Sequence, residues 1–196
     1  MKIIRLKLVF LSLVIGIASA SGSVLITTFG NADPPTFTIN TDFTSLATTQ
    51  NASLIEFTGN ANQELDGGFQ DVDISQFSDM VRLSGSLSSA APSANISIDL
   101  FSGASFGRYE GSSWSDFSSQ GFVDLSFQSS SGQFNTNAVD GFLLRGTGLN
   151  TESLNGQFTS LQAIPEPSSY TTIAGLLGLA YAVCRRRRRC GSMTST

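Results

Sequence analysis

The stretch "NISIDLF", residues 95–101, alternates strictly: Ile96, Ile98 and Leu100 are apolar, while Asn95, Ser97 and Asp99 stand between them. A period of two places one set of side chains on each face of an extended chain, so it describes a β-strand with one face buried and the other polar. The same pattern occurs in "FVDLSFQ", 122–128, through Val123, Leu125 and Phe127 with Asp124 opposed, and in "DMVRLSGSL", 79–87, through Val81 and Leu83. Five shorter runs, "SVLITTF", "PTFTIN", "SLIEF", "AVDGFLLRG" and "GQFTSLQAI", have similar character and are separated by Gly, Ser, Asn, Pro and Asp clusters. Those clusters supply turns. No segment between 21 and 164 sustains a helical period over three turns. Eight or nine strands in one domain of that length predict an all-β fold, an antiparallel β-sandwich of the jelly-roll kind. No repeat at solenoid or propeller spacing is visible.

Working outward, both ends of the 196-residue chain differ from this domain. The first residues, "MKIIRLKLVFLSLVIGIASASG", carry Lys2, Arg5 and Lys7 ahead of an apolar block and end on Ala18-Ser19-Ala20. A basic start, a short apolar block and small residues at alternate positions describe a secretory signal peptide, cut by signal peptidase after Ala20. At the far end, 168–184 is free of charge, and as a helix it spans about 25 Å. That is slightly short of a bilayer core, and snorkelling arginines extend it into a transmembrane helix. The cluster Arg185, Arg186, Arg187, Arg188 and Arg189 holds its end in the cytoplasm by the positive-inside rule. The chain thus divides into a signal peptide, 1–20; an exported domain, 21–164; a motif, helix and arginine cluster, 165–189; and a cytoplasmic tail, 190–196.

The C-terminal segment "IPEPSSYTTIAGLLGLAYAVCRRRRR" resembles the PEP-CTERM sorting signal of Gram-negative bacterial surface proteins. Pro165, Glu166 and Pro167, the glycine-containing span and the arginine cluster stand in the family's order. The resemblance implies a substrate of exosortase, a membrane enzyme that reads the motif. It implies an inner-membrane intermediate that ends at the cell surface or in the extracellular matrix, associated with exopolysaccharide. The tail beyond Arg189 is longer than such signals usually have. The prolines keep the tripeptide extended outside the bilayer, where side-chain pockets can read it.

Composition narrows the chemistry of the exported domain. It holds fourteen acidic residues against Arg82, Arg108 and Arg145, a net charge near −11 that the whole-chain value of −4 conceals. Such a surface does not bind nucleic acid. Histidine is absent and both cysteines, Cys184 and Cys190, lie beside the arginine cluster, which excludes Ser-His-Asp and Cys-His catalysis in the domain. The domain is therefore expected to be non-catalytic and to need no cofactor, with a glycosidase built on two carboxylates as a remote alternative. Two candidate sites remain. "ELDGGFQDVD", 64–73, offers Asp66, Asp71 and Asp73 as calcium ligands around a glycine bend. "SFGRYEGSSWSDF", 105–117, offers Tyr109 and Trp114 as ring faces for a glycan, with Arg108, Glu110 and Asp116 beside them. The second would make the domain a carbohydrate-binding module acting on the exopolysaccharide.

Overall fold

The computed structural model describes residues 22–32, 37–147 and 151–166. Ser23–Ile164 form one compact unit; the other, 1–22 with 165–196, lies almost wholly outside the described residues. The expected signal peptide, sorting helix and arginine cluster all fall there. Among the described residues no helix is long and apolar enough to cross a membrane.

The compact unit is all-β and antiparallel. Its strands are β1 (Val24–Thr28), β2 (Thr38–Ile39), β3 (Ala47–Gln50), β4 (Ile55–Asn60), β5 (Glu64–Val72), β6 (Met80–Leu87), β7 (Asn95–Ser102), β8 (Ser105–Ser113), β9 (Phe122–Ser131), β10 (Val139–Thr147) and β11 (Ser153–Ala163). One seven-residue helix, α1 (Trp114–Gln120), joins β8 to β9. The strands hydrogen-bond in the order β2-β5-β10-β7-β8-β9-β6-β11-β4-β3, with β1 added to β11. In this order β4 pairs with β11, β5 with β10, β6 with β9 and β7 with β8. That nesting is one long hairpin rolled on itself, the connectivity of a jelly roll. Strands β5-β10-β7-β8 make one layer and β9-β6-β11-β4 the other, continuous through the β8–β9 pairing.

The roll closes through a single short segment. β2 lies on the free edge of β5 and β3 on the free edge of β4, so residues 38–50 cap both open edges in one pass. Short, polar edge strands of this kind blunt the tendency of sheet edges to recruit further chains. β11 is shared differently: β6 takes one side, while β4 and β1 divide the other. Its register slips between Phe158 and Ser160, where the Phe29 amide donates to the Thr159 carbonyl and the partner changes from β4 to β1.

Alternation fills the interior. Ile96, Ile98 and Leu100 of β7, Val81 and Leu83 of β6, and Val123 and Leu125 of β9 are all buried. Between the layers runs an aromatic column. Phe57 of β4 stacks on Phe158 of β11 at 4.2 Å between centroids, and Phe29 reaches both Phe158 (5.5 Å) and Phe142 of β10 (5.4 Å). Each such pair adds about 0.5–1.5 kcal/mol beyond the area it buries. Helix α1 plugs one end: Ser113 accepts from the Asp116 amide while the Asp116 carboxylate accepts from the Ser113 amide, a capping box. Gly121, at φ 75°, stops the helix in the left-handed conformation that favours glycine.

Candidate functional site

The structure places Tyr109 and Trp114 in the core, correcting their expected role as glycan contacts. Segment 105–113 is strand β8 rather than a loop. Tyr109 is fully buried, and its hydroxyl donates to the Ser78 carbonyl at 2.8 Å. Burial, with the Asp79 charge second, pushes that hydroxyl well above the ordinary phenol range. Trp114 is 1% exposed, packed edge-on against Phe117 at 5.9 Å. Neither ring offers a face to a ligand, because a two-turn helix ending a strand needs a large apolar anchor to stay docked. The neighbouring polar groups are also occupied: Arg108 holds Asp99, and Asp116 caps α1.

The acidic segment is likewise a strand, which corrects the calcium loop. Along β5, Asp66 and Asp71 stand five residues apart, about 16 Å in an extended chain. Asp66 accepts from the Asn40 side-chain amide at 3.0 Å, and burial raises its carboxyl above the usual carboxylate range. Asp73 is committed to an Asx turn, accepting from the Ser75 amide at 2.9 Å, and those bonds hold its carboxyl below the usual range. Among the described residues no three acidic or cysteine side chains gather as metal ligands. Of the sorting motif, Pro165 is buried and Glu166 exposed; Pro167, Arg185, Arg186, Arg187, Arg188, Arg189, Ala18 and Ala20 lie outside the described residues.

A different site is present. The outer face of β4, β11 and β6 carries a groove of about 330 Å³ lined by Glu56, Thr58, Ser86, Ser88, Asn155 and Gln157, with Phe57 and Gly156 between them. Register explains the arrangement. Gln157 is the partner of both Glu56 and Ser86, and Asn155 is the partner of Thr58. Ser88 stands beside Asn155 through its amide bond to the Asn155 carbonyl, 2.8 Å. Two rows of three polar side chains thus cross the strands, about 7 Å apart because outward residues recur every second position. Phe57 faces the opposite way, into the aromatic column, and keeps β4 flat beneath the groove. Among the described residues, none of the six side chains makes a hydrogen bond or ion pair with the protein. Two carboxylates elsewhere are held by arginines: Asp99 is 1% exposed and bound by Arg108 at 2.7 Å and Arg145 at 2.9 Å, and Asp124 by Arg82 at 2.7 Å.

A solvent-facing aromatic also exists, on the capping segment rather than in β8. Phe43 is 66% exposed at a turn braced from below, where Thr44 and Asp66 exchange hydrogen bonds of 3.0 Å and Asn40 accepts from the Thr44 amide. A lone phenylalanine amid "NTDFTS" was the available signal for it. The groove left less to read, because its side chains are distant in sequence and meet only through the β4–β11–β6 pairing.

No family model matches the chain, and no curated protein matches it. Among solved structures, CsCBM6-3 from Clostridium stercorarium in complex with cellobiose is similar at a TM-score of 0.35 and 11% identity, over 75% of this chain and 95% of that one. A TM-score of that size carries no argument about ligand or activity, and the groove stands on its own geometry.

Proposed function

We propose that the protein is an exported, non-catalytic saccharide-binding protein of the cell surface or matrix, delivered there by its C-terminal sorting signal. The observation that carries the binding reading is the groove: six hydroxyl, amide and carboxylate side chains in two rows, all without side-chain partners among the described residues. Preformed, convergent polar groups on a rigid sheet are what a hydroxyl-rich ligand needs, since each bond is made without reordering the protein. Glu56 is the single carboxylate among the lining residues, whereas hydrolysis of a glycosidic bond by the usual route needs two. Delivery rests on the signal peptide and on the Pro165-Glu166-Pro167 motif, apolar span and arginine cluster in the sequence.

The test is a glycan array probed with the full-length protein in non-ionic detergent, followed by titration of the saccharides retained. Asn155→Ala with Gln157→Ala, both at half-buried outward positions, should abolish retention while leaving the far-ultraviolet circular dichroism unchanged. An array without retained saccharides, or retention indifferent to the double substitution, refutes the reading.

A further inference from the structure

From the isolation of Glu56 we infer that the groove selects a polysaccharide bearing free amino groups; this rests on the saccharide reading above. The compact unit contains three cations, and each is spent on a carboxylate. Arg82 holds Asp124, while Arg108 and Arg145 both hold Asp99, with Arg108 also 3.9 Å from Glu110 and Arg145 3.8 Å from Glu64. None of these pairs includes Glu56, whose side chain stands outward and exposed on β4. Its row partners are Thr49 of β3 on one side and, on the other, Gln157 and then Ser86, neutral groups that donate and accept without cancelling charge.

A ligand entering this row meets one negative charge, uncompensated among the described residues, within a line of neutral hydrogen-bonding groups. Sugar hydroxyls satisfy Gln157, Ser86, Thr58, Asn155 and Ser88. A hydroxyl placed against Glu56 makes an ordinary charged hydrogen bond, an ammonium makes a stronger charge-assisted one, and a uronate is repelled. The surrounding domain, with its excess of acids, raises the local concentration of any polycation and so points the same way without choosing a site. The choice of site is what the experiment must isolate.

The full-length protein in non-ionic detergent is titrated with a fully deacetylated chitosan oligomer and with its N-acetylated counterpart of equal length, at a pH where the amines are charged. Three proteins are compared: wild type, Glu56→Gln, and Asp79→Asn. Asp79 is exposed, seven residues before Ser86 and about 23 Å along the strand, so its substitution changes net charge equally without touching the groove. The expected result is that wild type binds the amine-bearing oligomer about tenfold more tightly than the acetylated one, the scale of one charge-assisted bond. Glu56→Gln should erase that ratio while still binding the acetylated oligomer, and Asp79→Asn should keep it. Equal binding of both oligomers by wild type overturns the inference and leaves the saccharide reading standing. Equal losses in the two variants also overturn it, since the general field would then be responsible. Binding of neither oligomer by wild type overturns this inference; retention of no saccharide on the array is the separate result that removes the reading beneath it.

Discussion

Replacing Asp99 by Asn should be the most damaging isosteric change on the surface of this domain. Asp99 belongs to the outward set of β7, yet it is 1% exposed because Arg108 from β8 and Arg145 from β10 close over it. Its oxygens accept from Arg108 Nε (2.7 Å), Arg108 Nη2 (2.8 Å) and Arg145 Nη2 (2.9 Å). Oδ2 accepts two of the three bonds, so an amide with its oxygen there loses the Arg108 Nε bond, turns an N–H toward that guanidinium, and no longer carries the charge that both arginines face. Bonds to charged groups contribute about 1.5–3 kcal/mol each. The arginine side chains are 34% and 31% exposed and recover part of this from water, which brings the expected loss to about 3 kcal/mol. Asp124 is the internal control: it makes the same two-pronged pair with Arg82, but the side chains are 29% and 36% exposed, and its loss should cost about 1 kcal/mol or less. For a domain of this size about 1 kcal/mol corresponds to roughly 3 °C. Urea unfolding of the 21–164 fragment, followed by Trp114 fluorescence and by circular dichroism, measures both variants. An Asp99→Asn variant no less stable than Asp124→Asn would refute the claim that the covering arginines make this carboxylate structural.

Trp114→Ala should cost about 3–5 kcal/mol and leave little soluble protein, while Trp114→Phe should fold and retain saccharide titration unchanged; selective loss of binding in the latter would return Trp114 to the ligand. Ser113→Ala should lower stability by about 1 kcal/mol at neutral pH by uncapping α1. Because the Ser113 hydroxyl and amide hold the Asp116 carboxyl below the usual range, the share made through the hydroxyl-to-carboxylate bond is present above the ordinary carboxylate pKa and is lost as pH falls through the lowered one, while the bond from the Asp116 amide to the hydroxyl remains. Unfolding curves in an acid series should therefore show the gap between wild type and Ser113→Ala narrowing without closing. Changing Pro165-Glu166-Pro167 to three alanines should leave a full-length, membrane-retained protein in a host containing exosortase, whereas lysines in place of Arg185–Arg189 should still be processed; fractionation and blotting distinguish the two.

Strands with clean alternation were legible because one face had to be buried: "NISIDLF", "DMVRLSGSL" and "FVDLSFQ" became β7, β6 and β9 with the expected residues inside, except Phe127, which is 38% exposed near the end of β9. β5 was hidden by three acids and two adjacent glycines, a composition that disfavours strands. It forms because β10 and β2 supply partners on both edges, and Gly67 is required there because the Phe37 ring occupies the space a side chain would take. β8 was obscured in the same way by Gly107 and Gly111. "PTFTIN" yielded only the two residues of β2, and β3 had no apolar face to announce it. Asp99 was rightly assigned to the outward face, but its burial depends on long arms from two other strands, and no local pattern encodes that. The groove is legible only once register is known.

If the proposed C-terminal processing takes place, the same topology limits where it can fall. Val24 is the partner of Ala163, so the first and last strands of the unit leave it side by side, and the Ile164 amide still donates to the Met80 carbonyl at 3.0 Å. From Gly156 onward β11 has partners on both edges: β6 on one side, β4 and then β1 on the other. Cutting before Ser160 would remove all the residues that hold β1, including fully buried Leu161 and Ala163. Loss of a buried leucine alone costs about 2–5 kcal/mol, a large part of the margin of an ordinary domain. A stable released form must therefore retain the chain through Ile164, and its C-terminus should fall at or after that residue, where the Pro165-Glu166-Pro167 motif begins. Intact-mass measurement of the mature protein decides this. A folded, released form ending before Ser160 would mean that β11 is dispensable, and with it the nested pairing on which the groove is built.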